Sequence, residues 1–201
     1  MSVLPGFRNI VVSDTRTKII EAADTLFYQR GFEYTSFADL ADMVQISRGN
    51  FYHHFRTKDE ILAAVIAIRA EIARAMLQKW EDAAGDNPAD AIRSFIQTLL
   101  DNRTDIKRYG CPVGTLTLEL AKLNHGASGE AKAVFTLIRR WLAKQFRALG
   151  RKTDADALAL HLLVRSQGVA TVVNCFHNDT FVRREVEAMC DWLDARVLEM
   201  P

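Results

Sequence analysis

The chain has 201 residues, with 26 Lys and Arg against 25 Asp and Glu, for a formal net charge of +1. That length supports one or two small domains with ample core, and the charge balance excludes bulk polyelectrolyte attraction to nucleic acid or a membrane. No run of about 18 apolar residues free of charges occurs, so no membrane span is expected. Three widely spaced cysteines, Cys111, Cys175 and Cys190, fit a reducing compartment better than a disulfide framework.

Residues 1–13 lack the small-residue cleavage pattern of a secretory signal and are expected to form a flexible arm. A first helix follows, ending at Gly31-Phe32. Ser36, with Asp39 three residues on, marks the start of a short second helix. Phe37, Leu40, Ala41 and Val44 recur at helical spacing and give it one apolar face. Gln45-Ile46 makes a tight turn, and Ser47 caps a third short helix. Phe51 and Phe55 lie four residues apart and are expected to point inward. Arg48, Asn50, Tyr52 and His53 are left on the outside, with His54 near the edge. Thr57 and Glu60 form a second capping box at the start of a long fourth helix. Lys58 sits in that helix's first turn, where it opposes the helix dipole, so an external anion is the expected reason for it. Two short helices joined by a tight turn place a polar-aromatic segment, 47–54, where it can enter a DNA major groove.

The run from 15 to 62, above all Phe51-Tyr52-x-His54-Phe55-x-x-Lys58 with Gly31-Phe32, Thr35-Ser36 and Leu40-Ala41 before it, resembles the DNA-binding domain of the TetR (tetracycline-repressor) family. The resemblance covers about the first third of the chain. It implies that Arg48, Gly49 and Asn50 sit where the family reads base edges. An Arg can fork onto guanine and an Asn can bond bidentately to adenine, each worth about 1–3 kcal/mol of discrimination, while Gly49 allows close approach of the backbone. Tyr52, His54 and Lys58 match phosphate-contacting positions, which fix register without reading sequence. Thr35 and Ser36 are expected near a phosphate, and Ser47 and His53 on the same DNA-facing surface. Residues 1–60 hold seven Lys and Arg against eight Asp and Glu. Affinity is therefore expected from local placement and dimerisation, with a shallow salt dependence.

Beyond residue 57 the pattern is helical throughout, with no strand-like alternation. Helix four is expected over about 58–84, stopped by Gly85. The next starts at Asn87-Pro88, with Asn as cap and Pro at the first position, and runs to Gly110. Pro112 opens a short helix to about 123; a loop covers 124–129; a long helix spans 130–149. Thr153 with Asp156 is expected to cap a helix reaching about 177, and a last one spans about 181–198. That makes nine helices. The expected architecture is all-α, with a three-helix helix-turn-helix domain over 1–57 and a helical ligand-binding and dimerisation domain over 58–201.

Residues 158–176 are apolar on nearly every face, more than a surface helix needs. Together with 181–198 they can bury a second apolar face against a two-fold copy, with Gly168 and Ala170 permitting close packing. The resemblance favours the same homodimer, reading a pseudo-palindromic operator. It also implies a small-molecule effector pocket in the second domain. Candidate lining residues are Phe95, Leu99, Leu116, Leu120 and Trp141, with Cys111, His161, Arg165 and Asn174 as polar contributors. Phe135, Ile138, Leu142 and Phe146 are further apolar candidates, and Gln167 and His177 further polar ones. Cys111, beside Pro112 at a helix start and near Lys107 and Arg108, has the setting of an activated thiol. Cys175 and Cys190 are expected to be buried.

No HExxH, CxxC pair, phosphate loop or nucleophile elbow is present, so no catalytic residue, metal or cofactor is expected. The expected function is a cytoplasmic, ligand-responsive DNA-binding regulator, a repressor that leaves its operator when effector binds. Two alternatives stay open: a Cys111-based sensor of oxidants or electrophiles, and a helix-turn-helix adaptor that binds protein.

Overall fold

The computed structural model describes residues 14–198, so the arm expected over 1–13 lies outside the described residues. Within them there are ten helices and no strand, and no helix is long and apolar enough to cross a membrane. The chain forms two compact units. One runs to Ile72 and also takes in Pro112–Val134; the other comprises Ala73–Cys111 and the chain from Phe135 onward.

The first unit opens with α1, Thr15–Arg30, whose N-cap Asp14 accepts from the Thr17 N–H at 2.8 Å. Gly31 ends it at φ +92°, with its N–H returned to the Phe27 carbonyl. Ser36 and Asp39 form the expected reciprocal capping box at the head of α2, Phe37–Val44. Gln45 adopts the left-handed conformation that stops α2, and Ser47 caps α3, Arg48–His54. At the head of α4, Lys58–Ala84, Thr57 Oγ1 accepts from the Glu60 N–H, and the Glu60 carboxylate accepts from the Arg56 N–H. The core joins Ile19, Ala23, Leu26 and Phe27 of α1 to Leu40, Phe51, Phe55, Ile61, Leu62, Val65 and Ile66. Leu116 and Leu120 of α7, Pro112–Lys122, belong to this same core, as does Ala131. The sequence reading divides the chain at 57/58; the compact units do not, because the apolar face of α7 is spent on the helix-turn-helix side.

The second unit holds α5, Pro88–Asp101, and α6, Arg103–Tyr109. With them are α9, Ala155–Phe176, and α10, Asp179–Leu198. The larger part of α8, Ser128–Ala148, completes it. The single helix expected over 88–110 is broken at Asn102, which accounts for ten helices instead of nine. There the backbone turns to φ −101°, ψ 10°, and the Asn102 amide donates to the Thr98 carbonyl at 3.0 Å while Arg103 donates to that of Leu100. The expected capping of α9 by Thr153 and Asp156 is also replaced. Asp154 is the N-cap, with no side-chain capping bond, and Asp156 pairs with Arg139 of α8. Ile92, Ile96, Leu142, Phe146, Leu162, Met189 and Leu193 fill the core, and an Arg93–Asp194 ion pair joins α5 to α10. Cys175, expected inside, is exposed; Cys190 is half-buried, and burial pushes its thiol up from its ordinary range.

Candidate nucleic-acid interface

The candidate interface is the outer face of α3. Phe51 and Phe55, four residues apart, are 1% and 2% exposed, and anchor the helix by burying their rings. Phe37 of α2 packs edge-on against Phe51 with centroids 5.2 Å apart. Fixing that side turns Gly49, Asn50, Tyr52 and His53 to solvent, with His54 half-buried. Tyr52 is 53% exposed, yet its ring lies 5.6 Å from that of Phe37, so its position is set while its hydroxyl end is free to reach outward. Ser47 is exposed and uses its Oγ to accept from the Asn50 N–H at 3.3 Å. A Cβ built on Gly49 would meet nothing within 4 Å. The fold itself gives no reason for a glycine there.

The loop before α2 is held from both sides. The Glu119 carboxylate of α7 accepts from the N–H groups of Phe32 and Glu33 at 2.9 and 3.0 Å. Lys58 donates its Nζ to the carbonyls of the same two residues at 3.1 and 3.3 Å, and lies 4.3 Å from the Phe32 ring centroid. Gly31 is required at this point. A Cβ there would stand 2.9 Å from Glu119 Oε1, and φ is positive. His125 stacks edge-on against Phe32 and approaches Asp59 at 3.5 Å. Deeper in the unit Arg69, 2% exposed, bonds Asp24 at 2.5 Å and the Pro112 carbonyl at 2.6 Å. This ties α1, α4 and α7 together. Removing one partner of such a buried pair costs about 3–5 kcal/mol, because the other charge is stranded.

Sequence reasoning missed Glu119 and Arg69. Only Arg69 left a signal: it falls on the inward stripe Leu62, Val65, Ile66, Ala73 and Leu77, where an arginine needs a buried partner. One DNA-facing expectation needs correcting. Thr35 is 1% exposed and donates its Oγ1 to the Gly31 carbonyl at 2.7 Å, so it closes the loop instead of facing a phosphate. Lys58, half-buried, has the carbonyls of Phe32 and Glu33 and the Phe32 ring as partners within the chain. Ser36 stays exposed, its hydroxyl committed to Asp39.

The pocket candidates do not form one cluster. Phe95, Leu99 and Trp141 lie in the core of the second unit, together with Phe146 and Leu142; Leu116 and Leu120 lie in that of the first. Phe135 and Ile138 are half-buried against the second core. The polar candidates differ from the buried groups expected. His161 is exposed and stacks on Trp192 with centroids 4.7 Å apart. Arg165 is paired with Glu185. Asn174 donates to the Lys107 carbonyl at 3.2 Å, and His177 is the exposed C-cap of α9. Cys111 is half-buried, with Gln167 Nε2 3.5 Å from its Sγ.

Residues 19–65 match the family model for bacterial regulatory proteins of the tetR family. Residues 88–184 match the C-terminal domain of LmrA/YxaF-like transcriptional regulators. The chain is 28% identical over 153 residues to an HTH-type transcriptional regulator in the lacX 3' region of Lactococcus lactis, covering 75% of this chain and 78% of the relative. To the HTH-type transcriptional regulator YxaF of Bacillus subtilis it is 30% identical over 153 residues, 74% of this chain and 77% of the relative. A crystal structure of a TetR transcriptional regulator from Legionella pneumophila superposes with a TM-score of 0.79 at 21% identity, covering 91% of this chain and 98% of that one.

Proposed function

Because the chain belongs to the TetR family of bacterial transcriptional regulators, we propose that it is a homodimeric repressor that leaves its operator when a small molecule binds the second unit. The observation that carries the DNA-binding part is the build of α3. Buried Phe51 and Phe55 hold out Asn50, Tyr52 and His53, beside a glycine that the fold does not need. Arg48, at the first position of α3, is assigned to a base edge with Asn50. Tyr52 and His54 are assigned to phosphates, and Gly49 to close backbone approach.

The dimer part rests on α9. Leu160, Val164, Gly168, Thr171 and Cys175 are all exposed along one stripe of α9, about 23 Å from end to end. An apolar stripe of that length on a water-facing helix is suited to a two-fold copy of itself. Two recognition helices about 34–36 Å apart would then read an inverted repeat. Effector and operator favour different spacings of those helices, so each weakens the other, with a coupling of about 1–3 kcal/mol sufficient for switching. The compartment this implies is the cytoplasm.

Selection of binding sites from random duplex DNA tests the reading. An enriched inverted repeat is expected. Asn50→Ala should relax preference at one base pair per half-site, with a loss of about 1–3 kcal/mol there. A folded, dimeric protein that enriches nothing would overturn the reading.

A further inference from the structure

We propose that the loop before α2 is a second operator-contacting element, in which the Tyr34 hydroxyl donates to a backbone phosphate and Glu119 of α7 is the positioning residue. The inference rests on the operator-binding reading and adds to it a contact outside α3. Tyr34 is 83% exposed. A single bare ring on a surface needs no explanation by itself. What calls for one here is how firmly the loop beneath it is fixed.

Every residue around Tyr34 is tied down. The Glu119 carboxylate takes the N–H groups of Phe32 and Glu33, one on each oxygen, while Lys58 takes the carbonyls of the same two residues. Thr35 returns its hydroxyl to the Gly31 carbonyl and its N–H to the Phe32 carbonyl at 3.2 Å. The Ser36 N–H goes to Asp39 at 2.8 Å. A segment held in this way has lost its conformational freedom on folding, so little more is lost when its side chain meets a partner.

The neighbours give the direction. Thr35 is turned inward at 1% exposure, between Tyr34 and Ser36, which are both exposed. That out, in, out order is the alternation of an extended chain, and it sends Tyr34 to the side of Ser36. Ser36 in turn lines a groove of about 210 Å³ with Phe37, Ala38 and Tyr52, and Tyr52 belongs to the outer face of α3. The loop therefore stands at the rim of the DNA-facing surface. Of its three hydroxyls, that of Thr35 is used inward, and that of Ser36 both donates to Asp39 and accepts from it. The Tyr34 hydroxyl is the one left for an outside acceptor. A phenol is an uncharged donor, suited to an anionic oxygen. Residues 1–60 hold fewer basic than acidic side chains, so part of the grip on the operator backbone has to come from donors of this kind.

The inverted repeat that wild type selects, remade with one neutral methylphosphonate at a time, locates the contact. At one position per half-site, neutralisation should weaken wild type but leave Tyr34→Phe unaffected. On the unmodified duplex Tyr34→Phe should bind about tenfold more weakly, the worth of a hydrogen bond to a charged group. The loss should be alike for all sequences, with an unchanged salt slope, because no cation has been removed. In Glu119→Gln one oxygen is left to serve two N–H groups. That variant, its thermal midpoint measured to confirm folding, should lose exchange protection at the Phe32 and Glu33 amides. In its background Tyr34→Phe should cost less than in wild type. Wild-type affinity in Tyr34→Phe, as expected if the ring served a protein partner, or a loss confined to one base pair, would overturn the phosphate contact alone. Tyr34→Phe costing as much in the Glu119→Gln background would remove Glu119 from the proposal. Wild type that binds no duplex at all would overturn the operator reading and this contact with it.

Discussion

Gly49 shows how a single residue can separate folding from function. Glycine inside a helix is less stable than alanine by about 0.5–1 kcal/mol, and nothing in this fold occupies the space a Cβ would take. Gly49→Ala is therefore expected to raise the thermal midpoint slightly and to weaken operator binding, measured by gel shift on the selected site. Unchanged operator affinity would end the close-approach assignment. At this scale the sequence was informative where side chains decide the outcome. The four-residue spacing of Phe51 and Phe55 identified the inward face, and both are buried. The partners of Thr35 and Lys58 were not legible, because they are carbonyls of Gly31, Phe32 and Glu33. Which carbonyls a loop leaves open depends on its backbone path, and no residue type announces it.

Among the elements, α2 carries a pH signature. Hydrogen bonds from the hydroxyl and the N–H of Ser36 hold the Asp39 carboxyl below its ordinary range. Folded protein thus binds this proton less readily than unfolded chain. The contribution of Asp39 is complete above the ordinary carboxylate value and is lost as the pH falls through the lowered one. Asp39→Ala should melt below wild type at neutral pH, with the gap narrowing as the pH falls below the ordinary carboxylate value; a gap constant with pH would mean that the charge contributes nothing. Asp14, lowered by its bonds from Thr17 at the head of α1, acts in the same direction. The Ser36–Asp39 cap was legible, since a capping residue and its target lie three positions apart; the Asp14 cap was not read from the sequence. The break between α5 and α6 was hidden by an apolar stripe that continues across it, from Ile92 and Ile96 through Leu99 to Ile106. Periodicity reports a buried face, and a helix that pauses for one residue keeps the same face.

At the scale of the molecule, the class of fold could be read from helical periodicity alone, but the grouping of helices could not. Leu116 and Leu120 declare an inward face on α7 without saying which core receives it, and the pairings that settle the matter span dozens of residues. Self-association is the property to test here. Gly168 sits in the exposed middle of α9, where a Cβ would touch nothing within 4 Å, so its absence of side chain matters only if another surface comes close. Gly168→Ala is expected to leave the helix intact or firmer while shifting the sedimentation equilibrium toward monomer. A variant that dimerises as wild type would remove Gly168 from the interface.

The enclosure of α7 within the first unit also bears on how the protein is made. A nascent chain that has reached residue 57 has all three helices of the reading head but none of Leu116, Leu120, Ala131 or the Glu119 carboxylate that grips the loop before α2. The head is completed only after about twice that length has been synthesised, by which time most of the sensing unit's first segment has emerged as well. An interrupted product stopping short of α7 would lack a finished head, so the operator is shielded from fragments that could occupy it yet never respond to a signal.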